Sequence, residues 1–253
     1  MNMNKQPYGT VLLKAARIID FLSASDQPQS LNTISKEAEL TNSTALKILD
    51  TLLLIGYVQK DPETKKFSLG TALIKIANKA INQLDIKQIS QPHLETLQQK
   101  TSETVHLGIL DNTSIIYVTK IESKNPVCLY SKIGKSIPLY CSAMGKAVLA
   151  DQTDQEIKQY LAANSLVKMT ENTITDEAAF MEEIAKIRNQ GFSFDNREHE
   201  NEVFCIGASI TVNGKNHGAF SVSIPHYRVT NKLLTETIQA IQTCKAAIIS
   251  DLL

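Results

Sequence analysis

The sequence predicts an α+β fold in two parts: a small helix-rich head, then a larger domain of helices and mainly antiparallel strands. Three observations carry that expectation. Apolar residues recur at helical spacing before Gly70, and β-rich runs separated by turn signals begin after Lys100. The 253 residues, 43% hydrophobic and 21% charged, are enough for two cores.

In the head, Val11, Ala15, Ile18, Ile19 and Leu22 share one face of a first helix. Residues 31–59 (LNTISKEAELTNSTALKILDTLLLIGYVQ) read as two short helices joined by a tight turn and running into a strand. Asn32 is expected to cap the first of these by accepting the free N–H groups of residues 33–35, and that helix should end near Glu39. Thr41 or Asn42 caps the next helix. There Ala45, Ile48, Leu49 and Leu52 point inward, while Ser43, Lys47 and Asp50 point out. Gly56 ends the helix, residues 57–59 begin a strand, Asp61-Pro62 and Glu63 turn the chain, and residues 65–69 return. Three helices and a hairpin over residues 1–70 outline a winged helix, in which the N-terminal end of the last helix enters the major groove of double-stranded DNA. The alternative is a helical hairpin packed against another domain.

Charge alone does not decide between them. Residues 1–70 hold eight Lys or Arg and seven Asp or Glu, so a strong basic footprint is absent. In a winged helix, Lys47, Lys60, Lys65 and Lys66 would gather on the groove and wing side. Phosphate affinity per protomer is then modest, and dimerisation on a two-part site compensates.

Composition excludes several classes. The 26 basic and 26 acidic residues balance, which argues against a nonspecific polyanion binder. Lys14 and Arg17 interrupt the only early apolar run, so a signal peptide is not expected, nor is a membrane span; a cytoplasmic protein is. Cys128, Cys141, Cys205 and Cys244 lack CxxC or zinc-finger spacing and read as reduced thiols. Enzyme motifs fail: Gly134-Lys135-Ser136 has the tail of a phosphate loop, but Leu129 stands where its first glycine belongs. Glu198-His199-Glu200 reads as a polar loop, because adjacent side chains diverge and rarely hold one ion. No catalytic residue, metal or cofactor is expected.

A helical stripe of Leu73, Ile76, Ala77, Ala80, Ile81 and Leu84 makes residues 71–84 a linker helix that connects the domains or packs on a partner. Pro92 is expected to start another helix. Residues 104–110, 114–121 and 127–131 read as strands, 145–150, 156–163 and 177–189 as helices, and 192–195, 205–212 and 218–224 as strands. Asn213-Gly214 makes a hairpin turn, and residues 232–253 form a closing helix. Residues 85–253 thus form an α+β domain with room for a pocket.

The landmarks along this order resemble the IclR family of bacterial transcriptional regulators. They are residues 66–70 (KFSLG), 133–147 (IGKSIPLYCSAMGKA), 191–200 (GFSFDNREHE), 205–208 (CIGA) and 221–223 (SVS), in order, with the likeness spanning about residues 8–250. The resemblance implies an N-terminal winged helix-turn-helix, a linker helix used in dimerisation, and a C-terminal GAF-like domain that binds a small effector and tunes operator binding. Carried onto this chain, the effector pocket falls on Met144, Gly145, Asp195, Cys205, Ser221 and Ser223. That assignment makes chemical sense: N–H groups opening a helix at residues 143–145 can hold a carboxylate, and two serines two residues apart on a strand share a face. Asp195 can accept hydrogen bonds, or donate one if burial keeps it protonated. Cys205 supplies a small, mostly apolar wall. Lys146 either aids anion binding or covers surface. The implied effector is a small carboxylate or sugar acid, and the implied assembly a homodimer that can pair into a tetramer.

The reading helix departs from its relatives. Many carry Pro, a basic residue and Arg where this chain has Thr41, Asn42 and Lys47, and Leu46 replaces a common polar residue. The expected DNA contacts are therefore Asn42, Ser43, Thr44 and Lys47, with Lys65 and Lys66 on the wing. Lys47, a point charge, suits a phosphate or a single base rather than a bidentate guanine contact.

Overall fold

In a computed structural model, residues 8–124 and 131–253 are described. The strand expected over 127–131 lies outside them save for Ser131, which is in no strand. The chain divides into two compact units, one ending at Gln83 and one spanning Leu84–Leu253.

The first unit contains α1 (Thr10–Ala24), α2 (Leu31–Glu37), α3 (Asn42–Leu54), β1 (Val58–Lys60), β2 (Phe67–Leu69) and α4 (Ala72–Asn82). Ile18, Leu22, Ile34, Ala45, Ile48, Leu49, Leu52, Val58 and Phe67 form its core. Val11, expected on the inner face of α1, is exposed, one turn ahead of the residues that meet this core. The cap of α2 is Ser30, whose hydroxyl accepts the Thr33 N–H at 3.2 Å, and not Asn32, which lies inside the helix. Thr41 caps α3, its Oγ1 accepting the Thr44 N–H at 3.3 Å. Gly56, at φ 73°, ends α3 as expected: its own N–H and that of Tyr57 return to the carbonyls of Leu53 and Leu52. The hairpin strands are shorter than predicted because Asp61 Oδ1 gathers the Glu63 and Thr64 N–H groups, so the turn extends through Lys66. Helix α4 buries no side chain, and Ile74 and Ile76 are exposed.

The second unit is a six-stranded antiparallel sheet in the order β5-β4-β3-β8-β7-β6 between two helical layers. Its elements are α5 (Asp85–Thr101), β3 (Thr104–Asp111), β4 (Ser114–Ile121), β5 (Ser136–Pro138), α6 (Ala143–Ala150), α7 (Asp154–Ala163), α8 (Glu177–Gln190), β6 (Ser193–Asn196), β7 (Val203–Val212), β8 (Lys215–Pro225) and α9 (Asn231–Leu252). Pro92 does not start a helix; it sits within α5. The bond lost to the missing N–H is outweighed by burial of Ile86, Leu94 and Leu97 in the core beneath α9. Strand β5 is too short to show period-2 alternation and was not expected. Asn213 and Gly214 both take positive φ and close the β7–β8 hairpin as read from the sequence.

Alternation along the strands gives the sheet two different faces. Val105, Leu107, Phe204, Ile206, Ile210, Phe220, Val222 and Ile224 face α5 and α9. The opposite face carries α6, whose first turn lies directly on β7 at Gly207. A Cβ there would sit 2.8 Å from the Ala143 carbonyl carbon and 2.9 Å from the Met144 nitrogen. Gly207→Ala should therefore lift α6 from the sheet and cost about 1–3 kcal/mol; urea denaturation of the full chain, followed by circular dichroism, measures it, and an unchanged midpoint would contradict this packing.

Candidate functional site

The six residues expected to meet DNA fall on two patches of the first unit. Ser43 and Lys47 lie exposed on the outer stripe of α3, together with Leu46 and Asp50. Thr44 is half-buried, and its hydroxyl accepts from Thr41 Oγ1 at 2.9 Å. Asn42 has a structural job: its amide oxygen accepts from Ser35 Oγ, and its Nδ2 donates to Asn32 Oδ1 at 2.9 Å, tying α3 to α2. On the hairpin, Lys65 is left-handed at φ 59° and its Nζ donates to the Pro62 carbonyl at 2.6 Å, while Lys66 is exposed. Lys60, expected on the groove and wing side, is exposed on the hairpin with its Nζ 5.0 Å from the centroid of the ring of Phe67, its cross-strand neighbour.

The six residues expected to meet an effector are brought together on the α6 face of the sheet. Register aligns Asp195, Cys205, Ser223 and Thr104 in one row across β6, β7, β8 and β3. The next row holds Ser193, Gly207, Ser221 and His106, extended by Lys120 on β4. Met144 and Gly145 open the helix above these rows, and every residue of this layer is buried except Cys205 and Lys120, which are half-buried. A Cβ on Gly145 would meet the Leu139 backbone at 2.3 Å, so glycine is needed there for close packing. Two surface cavities, of about 510 Å³ along α9 and about 370 Å³ beside β5, include none of the six.

Not every N–H of that helix start is open. Ser142 caps α6, its Oγ accepting from the Gly145 N–H at 3.1 Å, while its carbonyl takes the Lys146 N–H. The first-turn donors outside this cap are those of Ala143 and Met144. Ser193 Oγ donates to the Ala143 carbonyl, fastening the turn to β6.

Charge in the layer is arranged around Lys146. It is fully buried rather than covering surface, and its Nζ lies 2.5 Å from Glu198 Oε1 and 3.2 Å from Glu183 Oε1 on α8. The predicted polar loop is thus split. Glu198 turns inward, while His199 and Glu200 stay partly exposed and sit 3.6 Å from one another. Burial pushes the Glu198 carboxyl up against the opposing pull of Lys146. Asp195 Oδ1 accepts the Glu198 N–H at 2.6 Å, yet burial first, then the neighbouring Glu198 charge, push its carboxyl up to about 7. Cys205 Sγ lies 3.2 Å from Ser223 Oγ, and burial holds its thiol far above the ordinary range, so it is an unreactive wall.

Sequence reasoning missed His106, Ser131, Ser142 and Ser193. Ser142 had a signal, a Ser three residues before Gly145 at a helix start. His106 had none, because only strand pairing brings it beside Ser221 and Ser223. Among the described residues no three His, Cys, Asp or Glu side chains converge as a metal would require, and no helix is long and apolar enough to cross a membrane.

Comparison with known proteins gives a family for each of the two units. Residues 11–62 match the IclR helix-turn-helix domain, and residues 78–250 match the family described as bacterial transcriptional regulator IclR C-terminal. The HTH-type transcriptional regulator KdgR of Escherichia coli is 31% identical over 244 residues, covering 96% of this chain and 92% of that protein. The crystal structure of Thermotoga maritima IclR superposes with a TM-score of 0.73 at 29% identity, covering 97% of this chain and 99% of that one. An IclR homologue of Microbacterium hydrocarbonoxydans complexed with 4-hydroxybenzoate shares the fold, with a TM-score of 0.79 at 21% identity over 96% of this chain and 98% of that one. These relatives are regulators of transcription rather than enzymes. With both domains matched in order and most of its length covered, the chain belongs to the IclR family of bacterial transcriptional regulators.

Proposed function

We propose that this protein is a cytoplasmic, ligand-responsive repressor of catabolic genes, which releases or reshapes its hold on an operator when a small organic acid or sugar acid occupies the second unit. The observation that carries the reading is the pair of family matches, one on each unit, in the order head then effector domain. The domain boundaries proposed are 1–70 for the winged head, 71–84 for the linker helix and 85–253 for the GAF-like domain.

In the head, Ser43, Thr44 and Lys47 would face the major groove, Lys65 and Lys66 would reach phosphates, and Asn42 would serve through the α2–α3 tie. The exposed stripe of α4, with Ile74 and Ile76, supports dimerisation through the linker helix, with pairing of dimers into tetramers as the larger assembly. In the second unit, the N–H groups opening α6 and the hydroxyls of Ser221 and Ser223 would hold a carboxylate, with Asp195 orienting ligand hydroxyls and Met144, Gly145 and Cys205 shaping the wall. A ligand alters operator affinity only by preferring one arrangement of the paired heads over another.

Binding of the purified protein to DNA flanking its own gene, against a scrambled fragment at two salt concentrations, tests the reading. Selective binding that survives the higher salt is expected; equal, salt-labile binding to both would point instead to a head that docks on protein partners. Lys47→Ala should weaken binding across sequences and reduce the salt slope by about 1, whereas Ser43→Ala should relax base preference. Asp195→Ala or Ser223→Ala should blunt the response to effector in the same binding assay while basal operator binding survives, and a normal response would remove them from the pocket.

Asp195 also carries a pH signature. Its folded carboxyl titrates near 7, against an ordinary value of 3.8. The neutral acid therefore favours the fold below about pH 4, and that contribution is lost as pH rises through 7. Asp195→Asn should flatten this part of the Tm-versus-pH curve; parallel curves for variant and parent would show that Asp195 is not held neutral.

A further inference from the structure

His106 lies at the centre of the buried layer, 1% exposed, with a hydroxyl at each ring nitrogen. Nε2 is 2.8 Å from Ser131 Oγ, and Nδ1 is 3.3 Å from Ser223 Oγ, which in turn touches Cys205 Sγ. The Tyr117 ring leans on the imidazole at 5.0 Å between centroids. On the other side, Lys120 is its cross-strand neighbour and donates from Nζ to the Ser131 carbonyl at 3.1 Å. These contacts fix the plane of the ring and both of its hydrogen-bonding directions.

We propose that His106 is a positioning residue of the effector site: a neutral ring whose single N–H decides whether the Ser223 hydroxyl offers a ligand a proton or a lone pair. The inference rests on the effector reading of Ser223 given above. A neutral imidazole has one donor and one acceptor, so only two arrangements satisfy both hydroxyls. With the proton on Nε2, His106 donates to Ser131, and Nδ1 accepts the Ser223 O–H. Ser223 then faces the rest of the layer with lone pairs, which suits a ligand hydroxyl. With the proton on Nδ1, His106 donates to Ser223 Oγ, Ser223 turns its O–H outward, and Ser131 donates to Nε2. That arrangement suits a carboxylate or carbonyl oxygen. The ring holds one proton in both, so charge is unchanged.

A protonated ring would fit neither arrangement. Burial, with the Lys120 charge beside it, drives the imidazole down to about 3. Lys146, the buried ammonium on this face, is already paired with Glu183 and Glu198. Beside these charges the Ser223 hydroxyl is a neutral group whose donor or acceptor role His106 governs. Nε2 at 2.8 Å and Nδ1 at 3.3 Å are both within reach of a hydroxyl, so the proton can rest on either nitrogen, and whichever form the fold selects sets the direction of Ser223.

Nitrogen NMR of the full chain labelled at its five histidines tests this, with the His106 signal assigned by its loss in His106→Gln. The expected spectrum shows one fixed neutral tautomer, Nε2–H or Nδ1–H, that does not titrate between about pH 5 and 8, and which one it is gives the direction of the Ser223 hydroxyl. Ser223→Ala should move the Nδ1 resonance, Ser131→Ala the Nε2 resonance, and Ser223→Thr, which keeps a hydroxyl, should restore the parent Nδ1 position. Titration in that window, an averaged tautomer, or an Nδ1 signal indifferent to Ser223→Ala would overturn the proposal. The spectrum is read without ligand, so failure of the relay leaves the effector reading standing, and failure of the effector reading leaves the spectrum as it is.

Discussion

Gly207 lets the first turn of α6 lie directly on β7, and the arrangement of the second unit follows from that contact. With no side chain at 207, the opening of the helix comes down onto the central strands of the sheet. Ser193 fastens it from one side, and the Ser142 cap orders its own first turn. The consequence is a buried layer with an unusual content. Asp195, Ser221, Ser223 and His106 all face a helix start instead of a hydrophobic partner. Buried polar groups are costly unless each finds a partner, so such a layer persists only where register and helix position are both fixed.

Lys146 and its two carboxylates show how the layer tolerates charge. Removing an ammonium from water costs several kcal/mol, and here two acids from separate elements, α8 and the segment after β6, close around it. That ties three pieces of chain to one point. The Glu198 backbone in turn donates to Asp195, and its carbonyl receives the Thr170 and Thr173 hydroxyls, so the segment bearing Asp195 is anchored from several directions. Any ligand entering the layer meets an already neutralised cation, a carboxyl poised near neutrality and a neutral imidazole.

The head follows a different economy, with its polarity outside. Its core is a compact apolar cluster, and the polar residues near α3 divide between holding the helix and standing in solvent. Thr41 and Asn42 hold it; Ser43 and Lys47 stand free of the core. With a net charge of +1 over residues 1–70, a single head supplies little electrostatic attraction to a polyanion, which fits a family whose reading heads act through defined contacts.

Much of this was present in the sequence. Periodicity located α1, α3, α8 and α9 to within a few residues, Asn213-Gly214 announced its hairpin, and the landmarks at 133–147, 191–200 and 205–208 identified the family, because caps, turns and alternation are local and act within a few residues of chain. Errors came where packing overruled local preference: Pro92 inside α5, and Ser30 rather than Asn32 as a cap. The buried layer was half visible. Asp195, Cys205, Ser221 and Ser223 could be named, but His106 and the pairing of Lys146 with Glu183 and Glu198 could not, since their partners lie 25 to 117 residues away. The sequence by itself determined the elements, their order and the family. Tertiary structure alone decided which polar groups meet, because strand register and helix docking, which set those distances, are properties of the whole folded chain and not of any segment.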